Sequence, residues 1–325
     1  MSWLDTLRAS PAPPVAVEIA PQQVSAAAID IRGGEAVVTA HATEALPPGA
    51  LVPSLTADNA HNRLVIVEAI RRVLDETGRP RRIGLVVPDV VGKVSLLKFE
   101  QVPERIADLE QLIRWQARKT APFAIEEAQV SFIPGLRAAD GQEYIVSLAR
   151  RSVIAEYEGL CAEAGAYAGI VDLATLNIIN AVLATGRTPG GDLSRAESRD
   201  WLLVSVTTDY ASIAILRGEH VIFFRNRTEA DGTLADVVHQ SAMYYEDRLS
   251  GAGFARVLVS GAAAAGARHA TDIEEIRRSL QDRLTVPVES FDPRAAARLT
   301  DRIGAAPALL DTLAPLIGLL RRSES

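Results

Sequence analysis

Residues 15–40, VAVEIAPQQVSAAAIDIRGGEAVVTA, decide the fold. Apolar residues run from Val15 to Ile19, from Val24 to Ile31 and from Glu35 to Ala40, with Pro21 and the Gly33-Gly34 pair as punctuation between them. Short apolar runs separated by such residues predict a three-stranded meander. Residues 201–224, WLLVSVTTDYASIAILRGEHVIFF, repeat the pattern: Trp201 to Ser205, Ser212 to Leu216 and His220 to Phe224 are strands separated at Thr207 to Tyr210 and at Arg217 to Glu219. Self-similarity of this kind marks a duplicated unit.

The repeat extends past the strands. Asn62 to Thr77 sets Val65, Ile66, Ala69, Ile70, Val73 and Leu74 on one helical face and stops at Gly78, and Ile83 to Val87 follows as a buried strand before Pro88-Asp89. In the second half Thr233 to Leu249 is the helix, Gly251 and Gly253 end it, and Arg256 to Ser260 is the strand before Gly261. Two copies of meander, helix and strand predict an α/β chain of two sheet-centred lobes.

An additional α+β module interrupts the first copy. Lys93 to Phe99 is strand-like, and Glu104 to Thr120 is a helix carrying Ile106, Leu109, Ile113 and Ala117, closed before Pro122. Ala128 to Ile133 and Glu143 to Leu148 form a hairpin around Ala138-Ala139-Asp140-Gly141, and Ser152 to Ala164 is another helix. Strand Gly169 to Leu173 and helix Ala174 to Leu183 return to the first lobe. A polar stretch from Thr185 to Arg199 is the hinge between halves, and helix Asp272 to Leu284, strand Pro287 to Phe291 and helix Ala308 to Arg321 complete the second lobe. The expected division is 15–92 with 166–185 for the first lobe, 93–165 for the insertion and 200–325 for the second lobe.

Composition removes several function classes. The chain of 325 residues is 48% hydrophobic and 23% charged, with a formal charge of −7, which suits a globular protein and opposes a broad nucleic-acid footprint, local basic stretches such as Arg79-Pro80-Arg81-Arg82 notwithstanding. Cys161, the only cysteine, excludes an internal disulfide and reads as a buried small hydrophobe. No secretory leader and no run approaching roughly 18 apolar residues is present, so a cytoplasmic location is expected. Trp3, Leu4 and Leu7 could form one amphipathic turn, although a frayed terminus is the simpler reading. The five histidines have no metal-ligand spacing, and phosphate-loop, nucleophile-elbow and zinc-helix motifs are missing.

The order of elements and the middle of the chain together resemble the PilM family of type IV pilus assembly proteins, within the actin-like ATPase superfamily. Carrying the resemblance are Leu97 to Phe132, with Val102-Pro103, a Glu/Gln-rich helix, Ala121-Pro122-Phe123 and Glu126-Glu127-Ala128-Gln129-Val130. Val288 to Pro293 and the ending Ala306 to Arg321 add to it, and the likeness spans roughly residues 15 to 321. It implies an actin-like fold whose insertion is the 1C subdomain shared with FtsA. It also implies a cytoplasmic scaffold that binds the short tail of the inner-membrane protein PilN in a groove by subdomains 1A and 1C.

In an actin-like ATPase the first turn of each lobe carries Asp-apolar-Gly, where the carboxylate serves Mg²⁺ and glycine lets backbone N–H groups reach phosphate. Here the first place reads Glu18-Ile19-Ala20-Pro21, in which Ala20 adds a Cβ and Pro21 removes a donor. The second reads Ser205-Val206-Thr207-Thr208, without carboxylate or glycine; Asp209 could supply a displaced carboxylate, though an ordinary turn aspartate is the simpler reading. The adenosine-side pair reads Ser260-Gly261-Ala262-Ala263, with one glycine left. Losing a charge-assisted contact costs about 1.5–3 kcal/mol, so two or three losses weaken binding by several powers of ten at ~1.4 kcal/mol per tenfold. The expectation is a degenerate ATP/Mg site, lacking competent turnover even if some nucleotide still binds. Arg114, Trp115, Arg118 and Phe123 are the expected partner-binding set, Trp and Arg being suited to anchoring a peptide, with helix packing and a solvated basic face as the plainer reading of each. Two alternatives stand beside the scaffold. One is an active nucleotide-binding ATPase that polymerises or switches; the other is the cytoplasmic platform of a type II secretion or competence system, against which the lack of a spanning segment after residue 321 counts. Oligomeric state is not legible.

Overall fold

The computed structural model describes residues 13–186, 200–228, 233–265 and 273–322. Trp3, Leu4 and Leu7, and all of the expected hinge beyond residue 186, lie outside them.

The first meander forms as β1 Val15–Ala20, β2 Gln23–Arg32 and β3 Glu35–Ala45. Helix α1 (Arg63–Glu76) follows, its N-terminus closed by the Asn62 side chain, which accepts from the Val65 amide, and β4 (Arg82–Val87) comes next. After the insertion the chain returns through β8 (Tyr167–Leu173) and α4 (Ala174–Gly186). The second lobe repeats the plan with β9 Asp200–Val206, β10 Tyr210–Arg217, β11 His220–Thr228, α5 Leu234–Arg248, β12 Arg256–Ser260, a short helix α6 Ala262–Ala265, α7 Ile273–Leu284 and β13 Val288–Ser290. The first sheet runs β3-β2-β1-β4-β8 and the second β11-β10-β9-β12-β13, the same order with the same antiparallel meander and parallel outer strands. This is the actin-like fold.

One strand escaped the sequence: β14 (Arg298–Leu299) leaves the second-lobe half and pairs parallel with Val37 and Val38 on the edge of the first sheet. Two residues carry no periodicity of their own, so only the long-range pairing reveals it.

Alternation along the strands assigns their faces. Val15, Val17 and Ile19 share a core with Ile66, Ile70 and Val73 of α1, whereas Ala16, Ala27 and Ala36 face inward toward α4 and α8 (Pro307–Leu320). Leu202, Val204 and Val206 likewise point outward to α5, and Trp201 and Leu203 inward. The two inner helices cross closely, since a Cβ on Gly318 would lie 1.7 Å from the Asn177 carbonyl oxygen. Small residues on the inner face are what permit two helices to lie between two sheets.

The insertion contributes β5 Gly92–Phe99, α2 Ile106–Ala117, β6 Ala128–Ala138 and β7 Gly141–Arg150, the strands ordered β5-β7-β6. Leu109 and Ile113 cover one face of that sheet around Tyr144 and Val146. Its other side reaches the second lobe: Ile145 joins the inner core, and Leu136 packs against the outer one. Helix α3 (Arg151–Glu163), grouped with the insertion on sequence, buries Val153, Tyr157, Leu160 and Cys161 in the first-lobe core beside α1.

Candidate functional site

The three segments expected to meet phosphate converge where the two lobes meet. Ser205, at the end of β9, pairs with Ser260 of β12 and with Ser212 of β10, which sets three buried serines in one row across the second sheet. The turn after β1 reaches the same place, where the Gln22 side-chain amide donates to Asp209 Oδ2 at 2.7 Å.

Two of the segments are closed by the chain's own groups. Thr207 closes its turn on Tyr210, its amide and hydroxyl both donating to the Tyr210 carbonyl, at 2.9 and 2.8 Å. Gly261 adopts φ +86°, and a Cβ there would meet the Val206 carbonyl oxygen at 2.1 Å, so the backbone alone requires glycine. The amides of Ala263 and Ala264 donate to Asp311 Oδ2 of α8 at 2.8 and 3.4 Å. A carboxylate from within the protein thus sits on the N–H groups of the glycine turn, in the manner in which such a turn would hold an anionic oxygen. Sequence reasoning missed Asp311 because it lies 48 residues from Ala263.

Beneath this junction lies a polar cluster that the sequence did not single out. Asp89, read as a turn residue after β4, is fully buried. Its Oδ1 accepts from the Thr175 amide at 2.9 Å and its Oδ2 from the Thr175 hydroxyl at 2.5 Å. Ser212 Oγ lies 2.6 Å from the same Oδ2 and 2.9 Å from Asn226 Oδ1. The Asp89 amide donates to the Tyr210 hydroxyl and its carbonyl accepts from Asn226 Nδ2, at 3.0 and 3.1 Å. Glu18 faces this cluster from β1, at whose end Ala20 pairs with Gln23. Burial, with the Asp89 carboxyl adding to it, pushes Glu18 up to about 8, and burial raises Asp89 and Asp172 as well. A carboxyl held neutral at pH 7 is a poor partner for Mg²⁺, and among the described residues no three His, Cys, Asp or Glu side chains gather with metal-binding geometry.

The expected partner-binding residues divide. Arg114 pairs with Glu110 at 3.0 Å within α2, and Phe123 packs against the small core of Ala117, Ile125, Ala128 and Leu148. Trp115 is 60% exposed with Lys119 Nζ 4.3 Å above its ring, and Arg118 is exposed one turn away. Among the described residues no helix is long and apolar enough to cross a membrane.

The profile of the family described as type IV pilus assembly protein PilM matches residues 16–248. The chain belongs to the PilM family. A solved structure described as the PilM-PilN type IV pilus biogenesis complex superposes with a TM-score of 0.77 at 16% identity, covering 95% of this chain and 97% of that one. A protein of unknown function with an actin-like ATPase fold from Bacteroides thetaiotaomicron VPI-5482 superposes with a TM-score of 0.50 at 10% identity, covering 85% and 90%. At these identities the likeness speaks for the fold, and membership of PilM carries the role in type IV pilus assembly. No curated protein matches the chain.

Proposed function

We propose that this PilM family member is a docking scaffold on the cytoplasmic side of the inner membrane, holding the N-terminal tail of a PilN-like partner beside a cleft that no longer works as an ATPase. The reading rests foremost on one observation: the backbone amides after Gly261 are taken by Asp311, so a phosphate oxygen would have to displace a bound carboxylate. The Gln22–Asp209 bridge between the lobes, the missing donor at Pro21 and a neutral Glu18 act in the same direction. The family, and a structural relative described as a complex with PilN, supply the partner class. Trp115, Lys119 and Arg118 supply an exposed aromatic and cationic face on the insertion, the composition that anchors peptides.

Two titrations test the two halves of the reading. Thermal unfolding in millimolar Mg-ATP is expected to show no rise, because stabilisation follows RT ln(1 + [L]/Kd) and a weak site contributes none; a rise matching sub-millimolar affinity overturns the closed-site half. Calorimetric titration with a peptide of the PilN-like tail is expected to show one-to-one binding that Trp115→Ala weakens at least tenfold. Absence of binding to the full chain overturns the docking half.

A further inference from the structure

Around Asp89 two acceptors, its own Oδ2 and Asn226 Oδ1, face a single hydroxyl hydrogen. Asn226 must point its NH₂ at the Asp89 carbonyl, 3.1 Å away, because turning the amide over would set oxygen against oxygen. Its Oδ1 therefore faces Ser212 Oγ at 2.9 Å and needs the serine's hydrogen. Ser212 has one hydrogen, yet its oxygen also lies 2.6 Å from Asp89 Oδ2. With Asp89 ionised, one of these two contacts is a pair of acceptors without a proton between them, in a place where Asp89 and Ser212 are both fully buried.

One added proton resolves the conflict. Oδ2–H donates to Ser212 Oγ, Ser212 donates to Asn226 Oδ1, and Asn226 donates to the Asp89 carbonyl, closing a ring. Oδ2 still accepts from the Thr175 hydroxyl, and Oδ1 from the Thr175 amide. Every group then has its partner. We propose that Asp89 carries a proton in the closed protein and is a proton-dependent latch between the two lobes.

The position gives the latch its reach. Thr175 belongs to the first lobe, while Tyr210, Ser212 and Asn226 belong to the second, so this one residue is bonded across the cleft by three side chains. Asp89 to Val91 form a single turn leading straight into β5, so Asp89 is also the root of the insertion. The titratable groups facing it are Glu18 from β1, Asp172 from β8, paired with Arg322 at 3.6 Å, and the Tyr210 phenol from β10. The hydrogen-bonding neighbours of its carboxyl are Thr175 and Ser212, both neutral, so neither would compensate a negative charge as a cation does. Burial raises Asp89, in agreement with the proton count. A proton held in the closed state and released in the open one makes closure weaken as pH rises from the open-state pKa through the folded one.

The test uses the full chain with Glu18→Gln, so that the second neutral carboxyl is silent. Infrared difference spectra at neutral pH, taken against Asp89→Asn in that background, are expected to show the carbonyl band of one protonated carboxylic acid belonging to Asp89. A carboxylate pair of bands in its place overturns the proposal, and would mean that Asn226 is turned over. In parallel, exchange protection of the Thr175 amide, corrected for the intrinsic rate, is expected to fall by up to tenfold per pH unit as pH rises above the ordinary carboxylate range, where opening releases the Asp89 proton, and to stay level in Asp89→Asn. Level protection in the Asp89-containing chain, or the same fall in Asp89→Asn, overturns it. Should Asp89→Asn not fold, Ser212→Ala serves: deleting the acceptor is expected to shift the acid band, and an unshifted spectrum counts against the latch.

Discussion

Replacing Glu18 by Gln is expected to make the protein more stable, and increasingly so as pH rises above about 4.5. Although the Glu18 side chain keeps some accessible area, its carboxyl is enclosed by β10 and the root of the insertion, and burial is the main reason it moves from 4.5 to about 8. The native state then keeps a proton that the unfolded chain has lost. Stability associated with Glu18 is complete below about pH 4.5 and drains away as pH rises to about 8. At ~1.4 kcal/mol per pH unit, a fully enclosed group would contribute about 5 kcal/mol over that interval. Water at the accessible rim screens the charge, and a neutral Asp89 takes away the carboxylate repulsion, which leaves about 1–3 kcal/mol. Glutamine is neutral and nearly isosteric, so it matches the protonated acid and cannot titrate. Urea unfolding followed by circular dichroism, at about pH 4 and about pH 8.5, reads the difference between the two proteins, in which other titrating groups cancel. The expected result is equality at the lower pH and a gain of about 1–3 kcal/mol at the higher one. A variant that loses stability at about pH 8.5 refutes the reasoning, because it would show Glu18 ionised and favourably partnered.

Three further outcomes are expected. Gly318→Ala drives a Cβ to 1.7 Å from the Asn177 carbonyl oxygen, a backbone atom that cannot swing aside, so unfolding in urea should show a loss of at least about 3 kcal/mol. Arg118→Glu should abolish calorimetric binding of a PilN-like tail without changing the melting temperature, whereas Phe123→Ala should lower that temperature, since Phe123 packs in the insertion's core. Asp311→Ala frees the amides of Ala263 and Ala264; equilibrium dialysis with a labelled nucleotide should detect weak binding in the variant that the parent chain lacks, and no gain would show that Asp311 is not what closes the turn.

Much of the fold was legible because its signals are local. Val15 to Ala40 and Trp201 to Phe224 declare strands by their apolar runs and intervening turn residues, and the repeated order of elements implied duplication. The site was legible only as an inventory. Residues 18–21, 205–208 and 260–263 were named from the sequence, but what engages them was not, since Asp311, Gln22 and Asp209 act across the fold. Asp89 shows the same limit: a Pro-Asp pair after a strand reads as a turn, and its partners lie 86 to 137 residues away. One signal was present in retrospect. Ser212 interrupts an apolar strand at an inward-facing position, and a polar side chain there demands a partner.

The two-residue strand β14 and helix α8 bear on the order in which the molecule can assemble. Both arise near the C-terminus, yet one completes the edge of the first sheet and the other fills its inner face. During synthesis the first sheet emerges early and then waits, with the inner face of Ala16, Ala27 and Ala36 only partly covered by α4, until residues 298 to 320 have left the ribosome. Contacts of such large sequence separation make folding slow. The N-terminal lobe is therefore no free-standing module, and a nascent chain stopped at residue 186 would be a substrate for chaperones rather than a small stable domain.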